Sequence, residues 1–201
     1  MARRSEHTQD EIRSMVLNAA ETILIEDGLA KLKVRNIAME IGYTVGSIYM
    51  VFDNMADLIL HLKARTLDDM ALHLQQVPSN NTAQCCLLDL SKAYLNFANQ
   101  HFNRWNMLFD HTKTPESVTP DWYKHKITQL FRPIEYQFER LAPNASAEQT
   151  QRAAQALWSG VHGICCLSLS GSLDVVGVRD VEATVVVLVN SFVRGWASDL
   201  P

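Results

Sequence analysis

The chain has 201 residues, enough for one substantial core or two small ones, and its hydrophobic content of 47% excludes an intrinsically disordered protein. A net charge of −4 excludes a bulk polycation, so any binding of nucleic acid has to depend on a local surface. The basic N-terminal residues are not followed by the apolar run of a signal peptide, and no apolar stretch is long enough to span a bilayer. We therefore expect a cytoplasmic protein.

The spacing of cysteine and histidine predicts no metal or redox site. The four cysteines form two adjacent pairs, Cys85-Cys86 and Cys165-Cys166, whereas zinc knuckles and redox motifs need two intervening residues. The histidines share no metal-ligand spacing either. We expect reduced thiols that act as small apolar residues, and we expect no cofactor.

The first predicted helix follows a short basic arm. Thr8 and Glu11 have the spacing of a capping box, in which each side chain bonds the backbone N–H of the other residue. The apolar residues that follow recur at steps of three and one, as they do on one face of a helix. The pair Asp27-Gly28 is typical of the end of such a helix.

Residues 33–58 contain the pattern of two short helices joined by a tight turn. Apolar residues up to Ile41 fall on one face at helical spacing. Gly42 can adopt the positive φ that closes a helix, and the hydroxyl of Thr44 can cap the next one. Two helices joined by a three-residue turn form the helix-turn-helix pattern, whose second helix lies in the major groove of DNA.

The rest of the chain also predicts helices, about nine in all, so the predicted fold class is all-α. Pro133 should kink or break the helix that contains it. The valine-rich segment after Asp180 has the propensity of a strand, but its length and the lack of a strand partner favour a final helix. A polar, turn-rich stretch at residues 77–82 is the best domain boundary. The predicted domains are residues 1–54, residues 55–77 as a connecting helix, and residues 78–201.

Polar and basic side chains of the two short helices are candidates for DNA contact. Small residues at the start of the second helix let its backbone approach a groove, Tyr49 can donate to a phosphate oxygen, and Arg35 can reach the backbone or a base edge. Total charge adds no support, because residues 1–65 contain eight Lys and Arg against nine Asp and Glu. Three alternatives stay open: Tyr49 could pack in the core, the basic arm could be disordered, and the two helices could be a generic pair that binds no DNA. The predicted DNA-binding residues are Arg3, Arg4, Lys33, Arg35, Thr44, Val45, Gly46, Ser47 and Tyr49.

The turn region carries the motif Ile37-Ala38 … Gly42 … Gly46-Ser47-Ile48-Tyr49-Met50-Val51-Phe52 … Leu58. This motif resembles the N-terminal domain of the TetR family of transcriptional regulators, over residues 8 to about 62. The resemblance implies that Arg35, Thr44, Val45, Ser47 and Tyr49 lie at or near DNA and that Phe52 packs in the core. Met55 departs from the family, which usually carries a phosphate-contacting lysine there. Fewer phosphate contacts imply a weaker salt dependence of binding.

The segment Trp158-Ser-Gly-Val-His162-Gly163 resembles the tryptophan-histidine-glycine signature of one C-terminal subgroup of that family. The resemblance implies a helical domain for effector binding and dimerisation. The same domain has a large aromatic inventory, which favours a ligand pocket, although ordinary core packing is the alternative for each residue. The predicted pocket residues are Tyr94, Phe97, Phe102, Trp105, Met107, Trp122, Tyr123, Trp158 and His162.

The last two predicted helices are the most apolar of the chain. Either both are buried inside one subunit, or their outer faces pair with a second copy in a four-helix interface, which the resemblance favours. The predicted interface residues are Leu157, Ile164, Val185, Val189 and Phe192. A two-fold dimer would present two recognition helices about 34–36 Å apart, or a multiple of that distance.

The sequence contains no hydrolase nucleophile motif, dinucleotide-binding loop or P-loop, so we predict a protein that is not an enzyme. The predicted function is a homodimeric transcriptional regulator, a repressor that a small apolar or aromatic effector releases from a pseudo-palindromic operator. The alternative is a DNA-binding protein of the same fold that a protein partner controls instead.

Overall fold

The computed structural model describes residues 7–110 and 119–198, and every regular element in these residues is helical, as predicted. The helices are α1 (Gln9–Asp27), α2 (Val34–Glu40), α3 (Val45–Ile48), α4 (Met55–Gln75), α5 (Ala83–Gln100), α6 (Phe102–Phe109), α7 (Asp121–Leu141), α8 (Ala147–Leu169), α9 (Ser172–Val175) and α10 (Val181–Ser198), with a 3₁₀ turn at Leu29–Lys31. The short α9 has no counterpart among the predicted helices. Within the described residues, no helix is long and apolar enough to cross a membrane. Arg3 and Arg4, which were predicted to contact DNA, lie outside the described residues.

The described residues divide into two compact units. The first comprises residues 7–67, 101–110 and 119–120, and the second comprises residues 68–100 and 121–198. Helix α4 therefore begins in the first unit and ends in the second. Helix α6 follows α5 of the second unit along the chain, but its contacts with α1 assign it to the first. Domains that follow one another along the sequence cannot describe this arrangement, because α6 lies in the first unit but comes after α5 of the second.

Helices α1 to α4 and α6 build the core of the first unit. Ile37 of α2 and Ile48 of α3 are fully buried, and Phe52 packs with them, as its motif implied. Met107 of α6 is fully buried in the same core. This corrects the prediction that Met107 lines a ligand pocket, because α6 packs its apolar face against α1.

The predicted helix boundaries of the first unit are present in atomic detail. Thr8 and Glu11 form the complete capping box at the start of α1. Gly42 has a φ of 71°, a conformation that side chains with a Cβ rarely adopt. The Thr44 hydroxyl accepts the backbone N–H of Ser47 and so caps α3. The residue types of Gly42 and Thr44 were therefore enough to predict where α2 ends and α3 begins.

The second unit packs α5, α7, α8 and α10 around its own core. Val185, Val189 and Val193 of α10 are four residues apart and all buried, so one stripe of this helix faces α5 and α8. Burial of each such side chain stabilises by about 1.5–3 kcal/mol, which exceeds the small helix penalty of a β-branched residue. Asp180 caps α10 by accepting the N–H of Ala183 at 2.8 Å. The valine-rich segment is therefore a helix, as predicted.

Three of the predicted interface residues are in fact interior residues. Leu157, Val185 and Val189 are 2%, 0% and 0% exposed within one chain, so none of them lies on an outer face. The reason is that α8 and α10 pack their most apolar faces on each other and on α5. Ile164 and Phe192 keep part of their surface exposed.

Pro133 does not break α7, so of the two predicted outcomes, a kink or a break, the break is excluded. The helix runs without interruption from Asp121 to Leu141, with Pro133 inside it. Proline removes one backbone N–H from the helical ladder, so the carbonyl of Gln129 loses its usual donor. The buried Leu130 and Phe138 on either side of Pro133 hold both halves of the helix to the core.

Candidate nucleic-acid interface and apolar cavity

Residues 44–50, which we call the recognition segment, include α3 and the residues at its two ends. Ile48 is fully buried and anchors the segment to the core of the first unit. The opposite side carries Gly46 and Tyr49, and the ring of Tyr49 is 44% exposed. Tyr49 is therefore not a core residue, and its hydroxyl is free to meet a ligand at the surface. The Thr44 and Ser47 hydroxyls lie 2.9 Å apart beside it.

Val45 was predicted to face outward, but it is half buried and packs against the core of the first unit. Two exposed methionines were not among the predicted DNA-binding residues. Met50, the last residue of the recognition segment, is 69% exposed, and Met39 of α2 is 82% exposed. A flexible apolar side chain on such a surface can contact a thymine methyl group. The signal available in the sequence was the position of Met50 directly after Tyr49.

Exposed cations of the first unit gather just before and within α2. Lys31 ends the 3₁₀ turn, Lys33 precedes the first residue of α2, and Arg35 lies in its first turn. The carbonyl of Lys31 accepts the side-chain N–H of Asn36 at 2.8 Å, which fixes the approach to the helix. Met55 at the start of α4 is half buried and adds no charge. Three exposed cations thus lie within five residues of one another, although the whole chain is acidic.

Arg13 of α1 supports the turn at residues 51–54, which follows the recognition segment and which we call the corner. Its guanidinium donates to the carbonyl of Val51, lies 4.3 Å from the centre of the Phe52 ring, and approaches His61 Nε2 of α4 at 2.6 Å. The half-buried guanidinium of Arg13 therefore joins α1, the turn at residues 51–54 and α4. Such charge-assisted hydrogen bonds and cation–π contacts are among the stronger polar interactions in proteins.

This contact requires His61 to be neutral, because Arg13 can only donate and Nε2 must accept. Burial lowers the pKa of His61, and the charge of Arg13 lowers it further, while Asp57 at 3.5 Å opposes the shift. Asn54 accepts the N–H groups of Ala56 and Asp57 and starts α4 next to this cluster. The corner after the recognition segment is therefore held by several independent bonds.

The second unit contains a small apolar cavity between its helices. The cavity volume is about 20 Å³, room for about one water molecule. Leucine, isoleucine, valine and aromatic side chains make most of its wall, and the polar groups are Ser91, Tyr94 and the Trp158 indole. The full lining is Leu74, Leu87, Leu90, Ser91, Tyr94, Leu130, Phe131, Ile134, Leu157, Trp158 and Val161.

His162 lies next to this cavity without lining it. Its ring stacks on Trp158 with centroids 5.0 Å apart, and its Nδ1 is 2.8 Å from the Tyr94 hydroxyl. On the other side, Nε2 is 3.3 Å from the thiol of Cys166. Burial lowers the pKa of His162, which favours the neutral ring. His162 therefore orients the two aromatic residues that do face the cavity.

Only two of the nine predicted pocket residues, Tyr94 and Trp158, line the cavity. Phe97 and Tyr123 are buried in the second unit but do not line the cavity, and Trp122 is exposed. Phe102, Trp105 and Met107 belong to α6 of the first unit. The aliphatic lining residues were missed because the prediction selected aromatic residues, although the spacing of Leu87, Leu90 and Tyr94 on one face of α5 could have indicated them.

The outer faces of α8 and α10 carry small and apolar side chains. Leu167 is about half exposed and Val187 about two-thirds exposed, and Ala156, Ser159 and Gly163 lie on the exposed side of α8. Gly160 has a different role, since a Cβ there would come within 2.9 Å of Leu188 of α10. A Cβ on Gly163 would meet nothing within 4 Å.

All four thiols are free in the structure. Cys86 and Cys165 are buried, and burial raises the pKa of Cys165 to about 12. Two of the thiols thus act as small apolar residues, as expected. Among the described residues, no three His, Cys, Asp or Glu side chains come together as metal ligands would.

Two family profiles match the chain. The profile described as "Bacterial regulatory proteins, tetR family" matches residues 16–62, and the one described as "Tetracyclin repressor-like, C-terminal domain" matches residues 87–192. A similar protein from Mycobacterium tuberculosis, "Uncharacterized HTH-type transcriptional regulator Rv0681", is 24% identical over 162 residues, or 81% of this chain and 72% of the relative.

Solved structures show the same fold. A protein with unknown function from Rhodococcus sp. RHA1 superposes with a TM-score of 0.74 at 21% identity and covers 97% of this chain and 99% of its own. BioQ with its double-stranded DNA operator superposes with a TM-score of 0.64 at 17% identity, over 92% of this chain and 98% of its own. These likenesses apply to nearly the whole length of each chain.

Proposed function

The chain belongs to the TetR family of bacterial transcriptional regulators, and from this premise we propose that it is a homodimeric repressor that a small effector releases from its operator. The observation that carries the proposal is the recognition segment: Ile48 fixes it to the core, while Tyr49 and Met50 stand out into solvent beside the cations of α2. The family profile of this region and the DNA operator in the BioQ structure support the same interpretation.

The proposed contacts divide by chemical type. Lys33 and the Tyr49 hydroxyl hold phosphate oxygens, which position the protein without reading sequence. Arg35 and Met50 read base edges, Arg35 by hydrogen bonds and Met50 by contact with thymine methyl groups. Because few cations are available, affinity rests on these direct contacts more than on counterion release.

Release is a shift between two states of the dimer. An effector bound in the second unit favours a spacing of the two recognition segments that does not match successive major grooves. A preference of about 1–3 kcal/mol for that state lowers operator affinity by roughly 5- to 150-fold. The partners are double-stranded operator DNA, a second copy of the chain, and a small apolar or aromatic effector.

The test of DNA recognition is selection of bound sequences from random duplexes, followed by titration of the selected duplex. We expect a motif with two-fold symmetry, and losses of about 10- to 100-fold for Arg35→Ala and Tyr49→Ala. Lys124→Ala is the matched control, since it removes an exposed cation from α7 of the second unit. Unchanged binding by Tyr49→Ala and Ser47→Ala together would refute the site, and an asymmetric motif would refute the dimer.

The small volume of the cavity favours a second candidate function, in which a protein partner rather than a small ligand controls DNA binding. A space of about 20 Å³ is well below the roughly 300–1,000 Å³ of typical ligand sites. The two candidates differ in one measurement: release of operator DNA by a small-molecule library supports the effector, and release only by a protein partner supports the alternative.

A further inference from the structure

We propose that the second unit takes an uncharged amphiphile with an unbranched apolar tail, which enters between the end of α4, α5 and the Pro133 region of α7. This inference rests on the proposed effector function and specifies the chemistry of the ligand. The observations that carry it are the chemistry of the cavity wall, two grooves next to the cavity, and the hydrogen bonds that the nearby arginines already make.

The cavity wall selects an apolar group. Apart from Ser91, Tyr94 and the Trp158 indole, all its side chains are hydrocarbon. The Ser91 hydroxyl donates to the carbonyl of Leu87 at 2.8 Å, and Tyr94 is bonded to His162. A charged or strongly polar group in this cavity would lose hydration without gaining comparable bonds.

A groove of about 270 Å³ lies directly behind two side chains of the cavity wall. The cavity and the groove share Leu74 of α4 and Leu90 of α5, so these two leucines form the partition between them. Rotation of two leucine side chains costs little compared with movement of backbone. Once they turn aside, the joined space approaches the roughly 300 Å³ at the lower end of known ligand sites. A gap between two leucines admits a slender tail more readily than a broad ring system.

The groove continues outward into a second one of about 480 Å³, and both are lined by Gln75, Pro133 and Tyr136. Gln129 lines the outer groove, and its carbonyl lacks the usual helical donor because Pro133 has no N–H. The proline inside α7 thus leaves a backbone acceptor without its helical donor on a residue that lines the outer groove.

The two arginines near the grooves already have hydrogen-bond partners, carboxylates for Arg132 and neutral acceptors for Arg140, which favours an uncharged head. Arg132 forms a bidentate pair with Glu139, with Glu135 also within 3.9 Å. Arg140 donates to the Gln137 side chain at 2.8 Å and to the carbonyl of Asn81 at 2.7 Å. A carboxylate head would have to displace bonds that these guanidinium groups already make, and a cationic head would meet glutamates that Arg132 already neutralises. The remaining lining groups, which are the amides of Gln75 and Gln129 and the Tyr136 phenol, suit a hydroxyl or an amide.

The test is a calorimetric titration of the full-length protein with straight-chain alcohols from hexanol to dodecanol. Each added methylene should tighten binding about fourfold until the space is filled, and the gain should then stop. Decanoate and decyltrimethylammonium, which share the tail of decanol but carry a charge, should bind about tenfold more weakly or worse. Absence of saturable binding, a gain that continues without limit, or equal binding of decanoate and decanol would each overturn the proposal.

Two neighbouring glutamines provide a matched pair of variants that tests whether the ligand enters through the two grooves. Gln75 and Gln76 are both exposed, but only Gln75 lines the two grooves. We expect Gln75→Trp to weaken decanol binding about tenfold or more and Gln76→Trp to leave it unchanged. Equal binding by the two variants, with equal melting temperatures, would refute this route.

Operator binding in the absence of alcohol reports on the proposed repressor function alone. If that binding is intact while no alcohol binds, the ligand proposal fails and the DNA-binding proposal stands. If alcohols bind with a length limit but no DNA is recognised, the opposite holds. The two proposals can therefore fail separately.

Discussion

At the residue scale, the proposed DNA-binding surface depends on a few side chains whose surroundings differ sharply. Ile48 is buried and Tyr49, the next residue, is exposed, so one position anchors the recognition segment and the other is available for contact. Arg13 is a cation near the same surface, but it is bonded to the Val51 carbonyl and lies over Phe52. Its charge therefore stabilises the corner and is not counted among the contacts to phosphate.

Met55→Lys should restore a phosphate contact that this chain lacks. Met55 is half buried at the start of α4, so a lysine stem can follow the apolar surface while its ammonium reaches solvent. We expect tighter operator binding at low salt and a slope of log affinity against log salt that is steeper by about 0.9. Titrations at several salt concentrations measure both quantities.

Leu72→Lys is the charge-matched control for that variant, since Leu72 is an exposed residue of α4 in the second unit. It should leave the salt slope unchanged. An unchanged slope for Met55→Lys itself would show that the start of α4 does not approach phosphate.

His61 should make the stability of the protein depend on pH. Its folded-state pKa lies below the ordinary value of 6.5, so the unfolded chain binds more protons in this range. Stability is therefore fully present above about pH 6.5 and falls as the pH drops below that value toward the folded pKa. Urea midpoints between pH 5 and 7.5 should decline toward acid, and His61→Gln should reduce the decline.

His162 in the second unit has a pKa shift in the same direction, because of burial, so part of the decline should persist in His61→Gln. The double variant with His162→Gln should have the flattest profile. A profile that is identical in the wild-type protein and in His61→Gln would contradict a neutral His61 beside Arg13.

At the element scale, the position of α6 in the sequence does not indicate the unit in which it packs. It comes after α5 of the second unit, yet Arg104 forms an ion pair at 3.0 Å with Glu21 of α1, and Asn103 donates to the carbonyl of Ile25 at 3.0 Å. Lys63 of α4 donates to the carbonyl of Asp110 just after α6, and burial lowers the pKa of this lysine. Polar bonds and the buried Met107 together fasten α6 to the first unit.

Removal of one partner of the Glu21–Arg104 pair should be costly, because Arg104 is largely buried. Loss of one partner of a buried ion pair costs about 3–5 kcal/mol of unfolding free energy. We expect Arg104→Met to cost no more than that, because Glu21 keeps Arg65 as a second partner at 3.3 Å. Urea denaturation of Arg104→Met, Glu21→Gln and the double variant gives the coupling between the two residues.

Arg152→Met is the control for the loss of one arginine, because Arg152 pairs with Glu148 on an exposed face of α8. It should change stability by about 1 kcal/mol or less. Additive effects of Arg104→Met and Glu21→Gln would contradict a direct interaction between α1 and α6.

At the scale of the whole molecule, the proposed dimer rests on the outer faces of α8 and α10. The residues first predicted for this interface are largely interior, so the candidate surface is the adjacent one around Gly163 and Val187. Its small side chains would allow two helices to approach closely. In a single chain, a Cβ at Gly163 has open space, and Ala would be the better helix former by about 1 kcal/mol.

Gly163→Leu separates the two possibilities for this face. If it pairs with a second copy, the added side chain should shift the protein from dimer to monomer in sedimentation equilibrium and weaken operator binding. If it stays in solvent, the variant should remain in its original state and be slightly more stable. Asn96→Leu, a substitution at an exposed position of α5, is the control for added surface hydrophobicity.

Local patterns were sufficient where the physical cause is local. The capping residues Thr8 and Thr44, the positive φ of Gly42 and the burial of Phe52 follow from turn chemistry and helical spacing, and the structure confirms each of them. Pro133 shows the limit of such reasoning. Its helix continues, because buried residues on both sides hold each half to the core.

The sequence by itself determined the all-α class and the helix-turn-helix, because helix periodicity and end signals involve residues only a few positions apart. Only the tertiary structure decided that α6 joins the first unit, that Leu157, Val185 and Val189 are interior, and that leucines partition the cavity from its groove. Each of these depends on which of several apolar faces packs against which partner. Hydrophobic burial is non-directional, so composition and spacing leave that choice open until all the helices are packed together.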